Sequence, residues 1–105
     1  MNTTSIHLIG ISWYSETDYP KLLKLFTDYQ KLPTTYKKWL EAAQNTEQRL
    51  RIQHPNAILI RVPLTPAEFK QWCINEKVQP DAQARMRYAN TMAYHIHTQT
   101  LKTTH

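Results

Sequence analysis

The chain has 105 residues, with three Trp, six Tyr and two Phe in a composition that is 41% hydrophobic. That length suits one compact domain, and the aromatic content argues against disorder. Thirteen Lys and Arg against eight Asp and Glu give a net charge of +5, which permits an acidic partner without requiring one. No apolar run approaches the ~20 residues of a membrane span. The opening Met1–Ser5 lacks the features of a secretory leader, and one Cys makes no internal disulfide, which fits a reducing, cytoplasmic setting.

Ile6 to Tyr14 is apolar and rich in β-branched and aromatic residues, and reads as a buried strand. Gly10, the only glycine, marks a bulge or a close backbone approach within it. Ser15-Glu16-Thr17-Asp18 has the form of a capping box with Asp in place of Glu. Pro20 suits the first turn of the helix that follows, whose apolar stripe is Leu22, Leu23, Leu25, Phe26 and Tyr29. Leu32-Pro33 ends it. Thr34 or Thr35 caps a second helix with an apolar face of Tyr36, Trp39, Leu40, Ala43 and Leu50, interrupted by a polar gap at Thr46 and Glu47.

His54-Pro55-Asn56 is a turn, and Ala57–Val62 is a second buried strand. Thr65-Pro66-Ala67-Glu68 is a capping box with proline at the first helical position. It opens a third helix with Phe69, Trp72 and Cys73 inward. After Val78-Gln79-Pro80 a fourth helix runs to about His97, with Ala82, Met86, Ala89, Ala93 and Ile96 at helical spacing. The reading is a single α/β or α+β domain over residues 1–97, helix-rich, in β-α-α-β-α-α order, with a polar tail over 98–105. Two strands joined by a helical crossover pair in parallel. So small a sheet invites extension across a dimer through an exposed edge.

Ligands favour the carboxyl ends of parallel strands, here Trp13, Tyr14 and Ser15 after the first strand and Pro63, Leu64 and Thr65 after the second. Asp18 and Glu68 occupy the adjacent helix starts, and the glycine loops of nucleotide sites are missing, so no cofactor is expected. Cys73 with His7 or His54 as base would make a nucleophile. Its place on an apolar helix stripe reads instead as a buried structural thiol. His95 and His97 diverge on a helix, and no cluster has metal-ligand spacing, so no metal is expected. The carboxylate pairs Glu16/Asp18 and Glu41/Glu47 are explained by capping and by separation on the helix.

Residues 36–61 hold most of the excess charge, in Lys37, Lys38, Arg49, Arg51 and Arg61. Lys37 and Lys38 lie on the outer face of the second helix, where Glu41 follows Lys37 at i+4 and supports a solvated surface. Arg85 and Arg87 diverge on the fourth helix. The aromatic residues exceed what one small core needs. Trp13, Tyr14, Tyr36, Tyr88 and Tyr94 either complete the core or, like exposed Arg, anchor a protein partner.

Several stretches together resemble a set of small uncharacterised bacterial proteins: Gly10–Tyr14, Leu32–Leu40, Val62–Cys73 and Asp81–Arg85. The resemblance implies a bacterial source and a free-standing small domain, and no catalytic residue follows from it. The expected function is a non-enzymatic, cytoplasmic protein-interaction module, whose partner is a protein or a second copy and not a membrane. Its candidate surface is Trp13, Tyr14, Tyr36, Lys37, Lys38, Arg49, Arg51, Arg85 and Arg87. The alternatives are sequence-independent nucleic-acid binding through the basic helix face, and a small enzyme with a pocket at Trp13, Tyr14 and Thr65.

Overall fold

A computed structural model describes residues 7–102, with side chains described over 7–99. Strand β1 (Leu8–Trp13) leads into helix α1 (Tyr19–Leu25), a single 3-10 turn (Tyr29–Lys31) and the long helix α2 (Tyr36–Gln53). Strand β2 (Ile58–Pro63) follows, then α3 (Pro66–Glu76) and α4 (Ala82–Lys102). The β-α-α-β-α-α order and the parallel two-stranded sheet are as the sequence predicts. Ile6 and residues 103–105 lie outside the described residues.

The strands are in register, Leu8 beside Ile58 through Trp13 beside Pro63. Side chains alternate across a strand, so the sheet has two distinct faces. Gly10 and Ser12 face α4: a Cβ built on Gly10 would overlap the Ala89 carbonyl, and the Ser12 hydroxyl donates to the Arg85 carbonyl at 3.3 Å. His7, Trp13 and Arg61 face α2, where they meet His54, Trp39 and Glu47. The sheet is thus a thin layer between α2 and α4. Gly10 is a close approach and not a bulge.

The expected capping box does not open α1: its cap position is Asp18, which makes no side-chain cap bond, and the Ser15 hydroxyl accepts the Asp18 N–H at 3.1 Å in the turn before it. Thr35 and Thr65 do cap their helices, accepting from Lys38 and Glu68. Asp81 Oδ1 accepts the Ala84 N–H at 2.9 Å and caps α4. α3 stops at Lys77, which adopts the left-handed conformation with φ 57, while the Val78 N–H reaches back to the Cys73 carbonyl.

Three further expectations are corrected. α1 ends at Leu25, so Tyr29 is half-exposed and not on the apolar stripe. The chain turns extended at Phe26, ties Thr27 N–H to the Pro80 carbonyl and delivers Asp28 to Arg85. The buried stripe of α4 is Ala84, Tyr88, Ala89 and Ala93, whereas Ala82 and Met86 are exposed. Close packing over Gly10 needs small residues, which selects the Ala89 and Ala93 side of the helix. Finally, α4 continues through Lys102, past the proposed tail boundary at His97, and the Thr98 hydroxyl bonds the Tyr94 carbonyl at 2.8 Å.

The core is dominated by rings. Tyr14 stands 4.5 Å from Trp39 and 5.7 Å from Phe26; Phe26 meets Phe69 at 5.9 Å, and Phe69 meets Tyr88 at 5.5 Å. Such contacts add to area burial through edge and offset geometry. Tyr19 is buried, and its hydroxyl donates to the Pro33 carbonyl at 2.6 Å. Parallel pairing leaves Gly10 N–H pointing away from β2, and Asn90 Oδ1 accepts it at 3.0 Å. The outer edge of β1 is therefore partly occupied, and β2 ends in Pro63, which has no N–H to offer a further strand.

Candidate functional site

At the carboxyl ends of the strands a cleft of about 340 Å³ is lined by Trp13, Tyr14, Ser15, Tyr36, Arg61 and Pro63. β1 supplies Trp13, β2 supplies Arg61 and Pro63, and the first turn of α2 supplies Tyr36. The Tyr36 hydroxyl donates to the Tyr14 carbonyl at 3.1 Å, which fixes the ring against the end of β1. Trp13 is half-buried and packs edge-on to Trp39 at 5.4 Å.

Arg61 organises this cleft. Its guanidinium lies over the Trp13 ring, 3.9 Å from the centroid. Nε and Nη2 each donate to Glu47 at 2.8 Å. Glu47 sits in the polar gap of the α2 apolar face and is only 5% exposed, the one buried charged residue among those described. The hydrogen-bonded Arg61 holds its carboxyl below the usual range against the opposing cost of burial, and Arg51 adds a weaker attraction from 3.7 Å. Aromatic face and carboxylate together hold one guanidinium plane.

The other predicted residues do not converge here. Lys37 and Lys38 are exposed on the turn that follows Tyr36, without an ion pair among the described residues; the Lys37–Glu41 pair expected from spacing is not formed. Arg49 donates to Thr46 at 3.3 Å further along α2. Arg87 pairs with Glu76 at 2.8 Å, with its guanidinium 5.3 Å from the Trp72 centroid. Tyr14 is 4% exposed, and its side chain belongs to the core. Arg85 is 11% exposed and grips Asp28 through two bonds of 2.7 and 2.9 Å, over the Phe26 ring. Both are interior residues and not surface ones. Burial pushes the Tyr14 phenol up to about 12, against the pull of the Arg85 charge. Hydrogen bonding to Arg85 draws the Asp28 carboxyl down.

The pocket expected at Trp13, Tyr14 and Thr65 is present without Thr65, whose hydroxyl donates to Glu68 at 2.8 Å in the α3 cap. Among the described residues no carboxylate, imidazole or thiol lines the cleft. Cys73 is buried in α3, and desolvation raises its thiol. His7 and His54 pair edge-on at 5.7 Å at the opposite ends of the strands. Among the described residues no three His, Cys, Asp or Glu are placed to hold a metal, and no helix is long and apolar enough to cross a membrane.

The sequence pattern puts Pro63 at this strand end but does not place Arg61 in the site. The signal was present as two matched irregularities: an arginine inside an apolar strand and a glutamate inside an apolar helix face. No protein-family model matches the chain, and no curated protein or solved structure matches it either.

Proposed function

We propose that this chain is a non-enzymatic, cytoplasmic protein-interaction domain that engages its partner through the Trp13–Tyr36–Arg61 cleft. The observation that carries this reading is the solvent-facing Trp13–Arg61 stack, locked from behind by Glu47. Trp, Tyr and Arg dominate interface energetics because they offer large, stiff surfaces with directional donors. Here they are already fixed before a partner arrives, which lowers the entropy lost on binding.

The charge distribution supports a protein partner over nucleic acid. Arg51, Arg61, Arg85 and Arg87 each face a carboxylate. Among the described residues Lys37, Lys38 and Arg49 are the members of the predicted surface left without an ionic partner. The other unpaired lysines, Lys21, Lys24, Lys31, Lys70 and Lys77, are spread over α1, the 3-10 turn and α3 with its end instead of being gathered on one helix face.

The test uses the purified chain as bait beside Pro63→Lys and the double variant Lys37→Glu/Lys38→Glu. Pro63 is exposed at the cleft, so its replacement spares the core. Proteins retained by the wild type and lost with Pro63→Lys support the cleft. Retention unchanged by Pro63→Lys overturns it. Micromolar binding of labelled DNA or RNA that fades with salt and disappears in the Lys variant would favour the nucleic-acid reading instead.

A further inference from the structure

We infer that the cleft takes a carboxylate from an acidic peptide segment, bound end-on by Arg61 with the neighbouring apolar side chain against Trp13 and Tyr36. This rests on the cleft being the interaction surface and names the chemistry of what enters it.

A guanidinium carries five N–H donors in a rigid fork. Arg61 spends Nε–H and one Nη2–H on Glu47. Both Nη1–H groups and the second Nη2–H have no protein acceptor among the described residues. One from each nitrogen forms the end-on pair that matches the two oxygens of a carboxylate. The plane of this free fork is already set by the bonds to Glu47 and by the Trp13 ring at 3.9 Å.

The surroundings select for charge and size. Among the described residues no acidic side chain lines the cleft to compete for the fork. The first turn of α2 holds no acid either, and its Lys37 and Lys38 are exposed. A volume of about 340 Å³ fits one or two side chains. Glu47 already neutralises one unit of charge, so the ligand gains from fork geometry more than from a strong positive field. That favours a carboxylate over a polyanionic backbone.

The experiment is nuclear magnetic resonance on the ¹⁵N-labelled full chain, following the Arg61 Nε–H and Trp13 indole signals. The probes are N-acetyl-Phe-Glu-amide, the neutral isostere N-acetyl-Phe-Gln-amide, and a short oligothymidylate. The Glu probe gives saturable shifts at both signals, with affinity about tenfold above the Gln probe, as expected for a charge-assisted bidentate contact. Arg61→Lys keeps a charge beside Glu47 but lacks the fork, and loses that discrimination. Equal binding of the Glu and Gln probes, or no saturable shift from the Glu probe, overturns the inference. So does saturation by the oligothymidylate alone, which would make phosphate the ligand. If Arg61→Lys does not fold, the Glu-to-Gln comparison on the wild type still decides. Failure here, with partner retention still sensitive to Pro63→Lys, removes the carboxylate and leaves the cleft as the interaction surface. Retention unaffected by Pro63→Lys removes both.

Discussion

Replacing Gly10 with alanine adds one methyl group where β1 and α4 come closest. That carbon would overlap the Ala89 carbonyl oxygen and lie 3.0 Å from the Ala93 Cβ. The first obstacle is backbone inside a continuous helix, so no rotamer change relieves it. Overpacking costs about 1–3 kcal/mol, and a backbone obstacle belongs at the upper end. Moving α4 away also strains the 3.0 Å bond from Gly10 N–H to Asn90, worth about 1 kcal/mol net. Lower entropy of the unfolded chain returns about 0.4–1 kcal/mol. The balance is a loss of about 3 kcal/mol, or a Tm drop of roughly 12–20 °C for a domain of this size. Urea unfolding followed by tryptophan fluorescence measures it. A loss below ~1 kcal/mol would refute the close-approach argument. Adding Ala93→Gly does not rescue the variant if backbone is the obstacle; substantial rescue would place the clash on the Ala93 side chain instead.

Further outcomes follow from the ion pairs and caps. Asp28 and Glu47 have folded-state pKa values below their unfolded ones, so their stabilisation is full above the unfolded values near ~4 and is lost as pH falls through the folded ones. Acid titration of the Glu47→Gln variant therefore shows a shallower decline than the wild type, and an unchanged slope would contradict this. Tyr14 is raised to about 12; its contribution is present below the unfolded value near ~10 and lost as pH rises from there towards the folded one. Alkaline unfolding monitored by circular dichroism is shallower in Tyr14→Phe. Arg85→Met leaves Asp28 without its partner in the interior and costs about 3 kcal/mol by chemical denaturation, while partner retention by the folded fraction is unchanged. Lys77→Gly relieves a left-handed non-glycine residue and raises stability by about 0.5–1 kcal/mol, less than the full strain because glycine is more flexible when unfolded; a lower Tm would contradict the cap geometry.

Features set by short-range chemistry are legible in the sequence itself. Thr35 and Thr65 cap the helices they precede. Ala57–Val62 reads as a strand because the β-branched Ile58, Ile60 and Val62 recur at alternate positions without a breaker, and the strand observed is Ile58–Pro63. The candidate site was legible in part. Trp13 and Tyr36 follow from their places at a strand end and a helix start, but their partner Arg61 read only as one charge in a basic stretch. Its role depends on Glu47, fourteen residues away, and a through-space pair leaves no local trace beyond a break in two apolar patterns.

Element order and parallel pairing were determined by the sequence alone, because each depends on neighbours within a few residues or on chain connectivity; at Gly10 the sequence left a bulge or a close approach open, and the packing of α4 decided for the approach. The tertiary structure decided which side of α4 is buried, where α1 stops, and which cations are free. Ala89 wins over Met86 because only a small side chain tolerates the approach to Gly10. α1 stops at Leu25 as Asp28 turns towards Arg85, fifty-seven positions away in sequence. Among the described residues four arginines are spent on carboxylates, whereas Arg49 and the lysines are not. Charge is written in the sequence residue by residue, but neutralisation is a property of distance, and only the folded chain sets distances.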